Sequence, residues 1–180
     1  MKAIAALALA SSLALGALPV LAADMPSDEI IMGDGVVTDE SGFDWDRFYA
    51  TVYAVYVFGD SATASVGEGL SIGGNITDGA FLYGGTLSAG TFQSGEMAGE
   101  YIAQGIVRAG VLASDNFVLY GLAGIGWETY NDYYYVPVGL GAEIAVSDNI
   151  TFKLQYQANW IAAQDDVWRH NISAALAFYF

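Results

Sequence analysis

Residues 136–160 read VPVGLGAEIAVSDNITFKLQYQANW, and their polarity alternates residue by residue across a turn. One set is Val136, Val138, Leu140, Ala142, Ile144 and Val146, then Ile150, Phe152, Leu154, Tyr156, Ala158 and Trp160. The opposite set is Gly139, Gly141 and Glu143, then Thr151, Lys153, Gln155, Gln157 and Asn159. Successive side chains of a strand point to opposite faces, so a period of two predicts a β-hairpin turning at Ser147-Asp148-Asn149, apolar on one side. If Val146 faces Ile150, counting back along both strands places Glu143 opposite Lys153. The last stretch repeats the pattern, with Trp168, Ile172, Ala174, Leu176, Phe178 and Phe180 against Arg169, Asn171, Ser173, Ala175, Ala177 and Tyr179.

Working outward, eight strands are expected: Phe48 to Phe58, Glu68 to Ile76, Phe81 to Thr91, Met97 to Leu112, Phe117 to Thr129, Tyr135 to Val146, Ile150 to Trp160 and Trp168 to Phe180. Thr77-Asp78-Gly79-Ala80, Ala113-Ser114-Asp115-Asn116 and Ser147-Asp148-Asn149 have the composition of tight turns. The intervening connections are somewhat longer and polar or aromatic. Short turns on one side and longer loops on the other are the asymmetry of a membrane barrel.

The amino terminus is of a different kind. Lys2, an Ala/Leu-rich run and small residues at Ala22 and Ala23 have the layout of a secretory signal peptide, giving an expected cleaved segment 1–22. Residues 23–46 hold eight of the acids and show no sustained period, and they are expected to be an acidic periplasmic leader. Residues 47–180 then form one domain. No second apolar run of about 18 residues follows, so a helical span is not expected. The chain has no cysteine, which excludes disulfide and thiol chemistry. Twenty acidic against five basic residues give a net charge of −15, which argues against nucleic acid as a partner.

Alternation alone does not identify the solvent, because a secreted barrel also alternates, with its apolar face inward. The polar faces decide it. A soluble surface carries roughly 25–35% charged side chains, whereas these faces are mostly Gly, Ser, Thr, Gln, Asn and Ala. Beyond the signal segment only Arg47, Arg108, Lys153 and Arg169 are basic. Such a face suits the interior of an eight-stranded barrel, which is only wide enough for side chains to fill. The positive mean hydropathy of +0.40 then reflects an apolar outer wall facing hydrocarbon. Closure also removes unpaired strand edges, which hydrocarbon does not tolerate. Two aromatic belts are expected. Trp45, Phe48, Phe81, Phe117, Phe152, Phe178 and Phe180 would lie on the short-turn side, and Phe58, Phe92, Tyr101, Trp127, Trp160 and Trp168 on the loop side. The fold class is therefore all-β, an eight-stranded antiparallel up-and-down transmembrane β-barrel in an outer membrane.

Several segments carry a family resemblance. Phe43-Asp44-Trp45-Asp46-Arg47-Phe48-Tyr49 with Tyr56 resembles the first strand of the opacity-type, OmpA-like outer-membrane proteins of Gram-negative bacteria. Tyr83 to Gly90 resembles their third strand, Gly105 to Gly110 their fourth, Tyr120 to Gly126 their fifth, and Gly139 to Glu143 through Asp148-Asn149-Ile150-Thr151 to Lys153 and Tyr156 their sixth and seventh. The chain departs from the pattern at Arg47, Thr51, Val55, Thr86 and Ser88, and the substitutions at Thr51 and Val55 leave the inward face of the first strand undecided. The resemblance implies insertion by the outer-membrane assembly machinery, which reads a C-terminal strand such as the one bearing Phe178 and Phe180. It implies no cofactor and no reaction.

Candidate chemistry is sparse. His170 is the one histidine, and Ser173 lies an odd number of positions away, on the opposite face, so a Ser-His-acid arrangement is not expected there. Asp132, Asp165 and Asp166 lack the His or Cys company of a transition-metal site. The Gly121–Gly126 run has no following helix to make a phosphate loop, and narrow-barrel packing is its expected role. The inward charges Arg108, Glu143 and Lys153 are expected to form a cluster near the periplasmic third that bridges the lumen. The expected function is a structural or surface role for a monomer among outer-membrane lipids, with a side-chain-filled lumen. The alternatives are a narrow channel for ions or small solutes and, further off, a lipid-modifying enzyme.

Overall fold

A computed structural model describes residues 42–59, 62–129, 132–161 and 167–180. The expected signal peptide and residues 23–41 of the expected leader lie outside them, as do Asp165 and Asp166. Eight strands run in order: β1 (Phe48–Gly59), β2 (Ala62–Asp78), β3 (Phe81–Ser94), β4 (Tyr101–Ser114), β5 (Phe117–Glu128), β6 (Tyr133–Ser147), β7 (Ile150–Ile161) and β8 (Val167–Tyr179). Each pairs antiparallel with its neighbours, and β1 pairs with β8, so the sheet is a closed barrel. The fold is an eight-stranded up-and-down transmembrane β-barrel.

The alternation read from the sequence sets the two faces. Leu140, Leu154 and Ile172 are exposed on the outside, while Glu143, Lys153 and Asn171 are buried inside. On β1 the odd positions Tyr49, Thr51, Val55 and Val57 are the buried ones, which settles the inward face left open above. Exposed Phe48, Phe81, Phe152, Phe178 and Phe180 ring the short-turn end, and Tyr101, Tyr134, Trp160 and Trp168 the loop end. Two residues assigned to these belts are not in them: Trp45 and Phe92 are only 3% exposed and pack inside.

Three differences from the expected boundaries have local causes. The short turns are two residues long, and the β6–β7 turn closes with Ser147 opposite Ile150, so that a bulge displaces Val146. The register below the bulge still sets Glu143 opposite Lys153. β2 begins at Ala62 rather than Glu68, so the polar stretch read as a loop continues the ladder with β1. β4 begins at Tyr101 rather than Met97, because Gly95 and Gly99 take positive φ values of 85° and fold a turn between β3 and β4.

Residues 42–47 form a strap under the short-turn end. The Phe43 N–H donates to Asn116 Oδ1 (3.1 Å), and Trp45 Nε1 donates to the Asp115 carbonyl (2.9 Å). Asp46 accepts from the Thr77 backbone N–H and hydroxyl (both 2.9 Å), and Arg47 Nη2 donates to the Asp148 carbonyl (2.7 Å). One hexapeptide thereby touches the β2–β3, β4–β5 and β6–β7 ends. Its buried Phe43 and Trp45 rings pack edge-on against Tyr179. Bulky rings at alternate positions give this end of the acidic segment a burial that its charge count conceals.

The outward position of Leu154, 49% exposed near the middle of β7, gives a direct test of the faces. Leu154→Arg is expected to cost about 2–4 kcal/mol in a lipid bilayer, while Leu154→Ala costs far less, as measured by equilibrium unfolding in vesicles. Equal effects of the two changes would overturn the assignment.

A candidate functional site inside the lumen

Within the described residues five charged side chains are buried: Arg108, Glu128, Glu143, Lys153 and Arg169. They form two groups at different heights in the barrel.

The lower group contains the three residues singled out from the sequence, and the structure brings them together. Arg108, inward on β4, donates from Nη1 to Glu143 Oε2 of β6 at 2.6 Å. Its Nε and Nη2 both reach Asn75 Oδ1 of β2, at 3.1 and 2.7 Å, and Nη2 also approaches the Tyr179 hydroxyl of β8 at 3.4 Å. One guanidinium thus ties together four strands around the barrel. Its planar fork of five donors suits this role, since a lysine ammonium could not address the carboxylate and amide in fixed directions. Gly84 on neighbouring β3 makes room, because a Cβ there would overlap Asn75 Oδ1. Glu143 Oε1 accepts from Thr151 (2.5 Å) and Tyr179 (2.7 Å), and Lys153 Nζ lies 3.5 Å away. Aromatic faces complete the floor: Arg108 lies over the Tyr49 and Tyr120 rings, and Lys153 Nζ is 3.6 Å from the Tyr49 centroid.

The upper group was not singled out from the sequence. Arg169 of β8 donates from Nη1 to Glu128 Oε2 of β5 at 2.6 Å, and from Nη2 to the Tyr133 hydroxyl of β6. The same Nη1 lies 3.5 Å from the Met97 sulfur. Met97, 1% exposed, folds inward from the β3–β4 connection and packs with Val55, Val57 and Phe92. The signal for this pair was present: Arg169 alternates inward on the last strand, and Glu128 shares its face with Tyr120 and Leu122. The two are so far apart in sequence that only barrel closure reveals the contact.

Between floor and roof is a cavity of about 60 Å3. Its wall includes Thr51, Ser71, Thr86, Ser88, Gln155 and Asn171, and Arg108 and Lys153 border it from below. Large rings over glycines narrow the lumen elsewhere. A Cβ at Gly126 would overlap the Tyr135 ring, and one at Gly141 would strike the Tyr120 ring. Two glycines of the run 121–126 thus serve close packing: Gly126, and Gly124, where a Cβ would overlap the Gly105 carbonyl.

His170 faces outward, hydrogen-bonded to the Tyr156 hydroxyl through Nδ1 (2.7 Å) and stacked between the Tyr156 and Phe58 rings. Ser173 borders the internal cavity, on the other side of the wall. Among the described residues no group of His, Cys, Asp and Glu is arranged to hold a metal ion, and Asp132 accepts from Trp127 Nε1 at 3.0 Å. Phe178 and Phe180 project outward at the end of β8, and the Phe180 N–H donates to the Phe48 carbonyl at 3.0 Å.

This architecture is that of the small eight-stranded barrels of bacterial outer membranes. The chain is similar in fold to the N-terminal β-barrel domain of OprF from Pseudomonas aeruginosa (13% identity, 73% of this chain and 97% of that one, TM-score 0.54). It is likewise similar to Ail, the attachment invasion locus protein of Yersinia pestis (15%, 74% and 97%, TM-score 0.52), and to Neisserial surface protein A (14%, 74% and 97%, TM-score 0.51). No protein-family model and no curated protein matches the chain.

Removing Glu143 would leave two buried cations without their carboxylate, which typically costs about 3–5 kcal/mol. Glu143→Ala is therefore expected to lower the unfolding temperature in detergent, and adding Lys153→Met to recover part of the loss, because Arg108 keeps Asn75 and Tyr179. A double mutant no more stable than the sum of its singles would show that the lumen is wet enough to screen these charges.

Proposed function

We propose that the protein is a structural barrel of the outer membrane whose lumen is closed by its own side chains. The observation that carries this reading is the pair of cross-lumen bridges. Arg108, Glu143, Asn75 and Tyr179 span the lower third, and Arg169, Glu128, Tyr133 and Met97 span the upper third. Each is built on a 2.6 Å ion pair between strands that are not neighbours in the sheet, and on this reading each would have to part before an ion could pass. The exposed apolar outer wall and aromatic rings favour a monomer solvated by lipid. On this reading residues 1–22 are a cleaved signal, the rest of the segment before Arg47 leads through the periplasm into the strap, and the protein carries out no reaction and holds no cofactor.

A second reading, a narrow channel, is favoured by the polar cavity between the two bridges. Single-channel recording of the refolded protein in a planar bilayer separates the two. No steady open level is expected for the wild type, and a large steady conductance would favour the channel.

We further propose that outward Phe178 and Phe180 form the signal read by the outer-membrane assembly machinery. Phe180 contributes one backbone bond to the β1 edge and a side chain that is 73% exposed, so little folded-state stability depends on it. Deleting Phe180 is expected to reduce insertion in cells severalfold while leaving refolding into detergent nearly unchanged. Normal insertion in cells would refute the assignment.

A further inference from the structure

The buried charges do not balance. Arg108, Lys153 and Arg169 face only Glu128 and Glu143 inside the described barrel. The roof pair is neutral by itself, since Arg169 and Glu128 meet at 2.6 Å. With Lys153 protonated, the surplus positive charge is on the floor, where one carboxylate serves two cations.

The geometry shows which cation is short of a partner. Glu143 gives Oε2 to Arg108 and spends Oε1 on two short hydroxyl contacts from Thr151 and Tyr179. Lys153 Nζ is left with a long 3.5 Å approach to that same Oε1 and the face of the Tyr49 ring. An ammonium has three donors and no acceptor, and burial of an incompletely paired charge is unfavourable. Lys153 also borders the mid-lumen cavity, whose wall is rich in groups able to donate hydrogen bonds. Thr51, 5% exposed and on the same wall, has a hydroxyl with no hydrogen-bond partner in the protein.

We propose that this cavity is a binding site for one small monovalent anion of the halide class, held against the Lys153 ammonium and receiving a hydrogen bond from Thr51. Charge selects the class, because one negative charge neutralises the interior and two would overshoot. A water needs roughly 10–15 Å3 of such space, so the cavity of about 60 Å3 has room for a halide with a few waters. The site does not depend on whether the barrel conducts. A closed barrel would trap the ion during folding, and an open one would exchange it.

The test uses the full mature chain refolded in detergent with bromide as the only halide, so that ion is present when the barrel closes. Crystals grown from that material should show an anomalous bromide peak within hydrogen-bond distance of Lys153 Nζ. In parallel, refolding in gluconate at equal ionic strength should lower the thermal midpoint of the wild type relative to bromide. The Lys153→Met variant should show no such difference. Thr51→Val, which keeps the shape and removes the hydroxyl, should weaken bromide by about ten- to a hundredfold, the loss of one hydrogen bond to a charged group. A cavity holding water alone, with no halide dependence of the midpoint, would overturn the proposal. So would bromide found only at the protein surface, an adventitious ion only, or a halide effect that survives Lys153→Met.

Discussion

Every backbone amide and carbonyl in hydrocarbon must be paired within the protein, and eight antiparallel strands satisfy this only by joining β1 to β8. That closure fixes the width of the interior at about the reach of two facing side chains. The remaining architecture follows from this limit. Tyr120 and Tyr135 fit only because glycines lie beneath their rings. Arg108 spans to Asn75, Glu143 and Tyr179 because no part of the wall is beyond a guanidinium's length. Met97 from a connecting turn can meet Arg169 from the last strand for the same reason. In a wider barrel the same side chains would be solvated individually, and the two bridges would not form.

The balance of forces inside differs from that of a soluble core. The outer wall gains nothing from mutual burial, since lipid is as apolar as leucine, and the interior is held by hydrogen bonds and charge pairs. A buried ion pair is weak evidence for stability by itself, because desolvation offsets the attraction. Its effect here is specificity. Glu143 accepts from β4, β7 and β8 simultaneously, so a one-residue slip of any of those strands would turn a partner outward into lipid.

The faces of β6, β7 and β8 were legible in the sequence because a period of two carries its own phase, and so was the opposition of Glu143 and Lys153 across the hairpin. The phase of β1 was not, since Thr51 and Val55 depart from the glycines of the pattern this strand resembles, and only the pairing with β2 and β8 settles it. The roof pair escaped because Glu128 and Arg169 are brought near by closure and by no local pattern. Alternation alone makes Met97 the start of a strand, although Gly95 and Gly99 on either side of it are the visible sign of a turn. Type and position alone put Trp45 in a belt. Its actual place depends on one hydrogen bond to the Asp115 carbonyl and the burial of its indole against Tyr179, neither of which alternation can reveal.

The strap of residues 42–47 has a consequence for the order of assembly. Its anchors come from three separate hairpin ends, Thr77, Asp115 with Asn116, and Asp148, and Phe43 and Trp45 also require the Tyr179 ring of the final strand. The strap therefore has its full set of contacts only when all three hairpin ends and the final strand are in place together. A segment that precedes every strand in the chain thus completes its contacts only in the finished barrel, in the manner of a drawstring at the mouth of a bag. The buried Trp45 indole is accordingly an intrinsic optical report of the closed short-turn end, distinct from the exposed Trp160 and Trp168 on the outer wall.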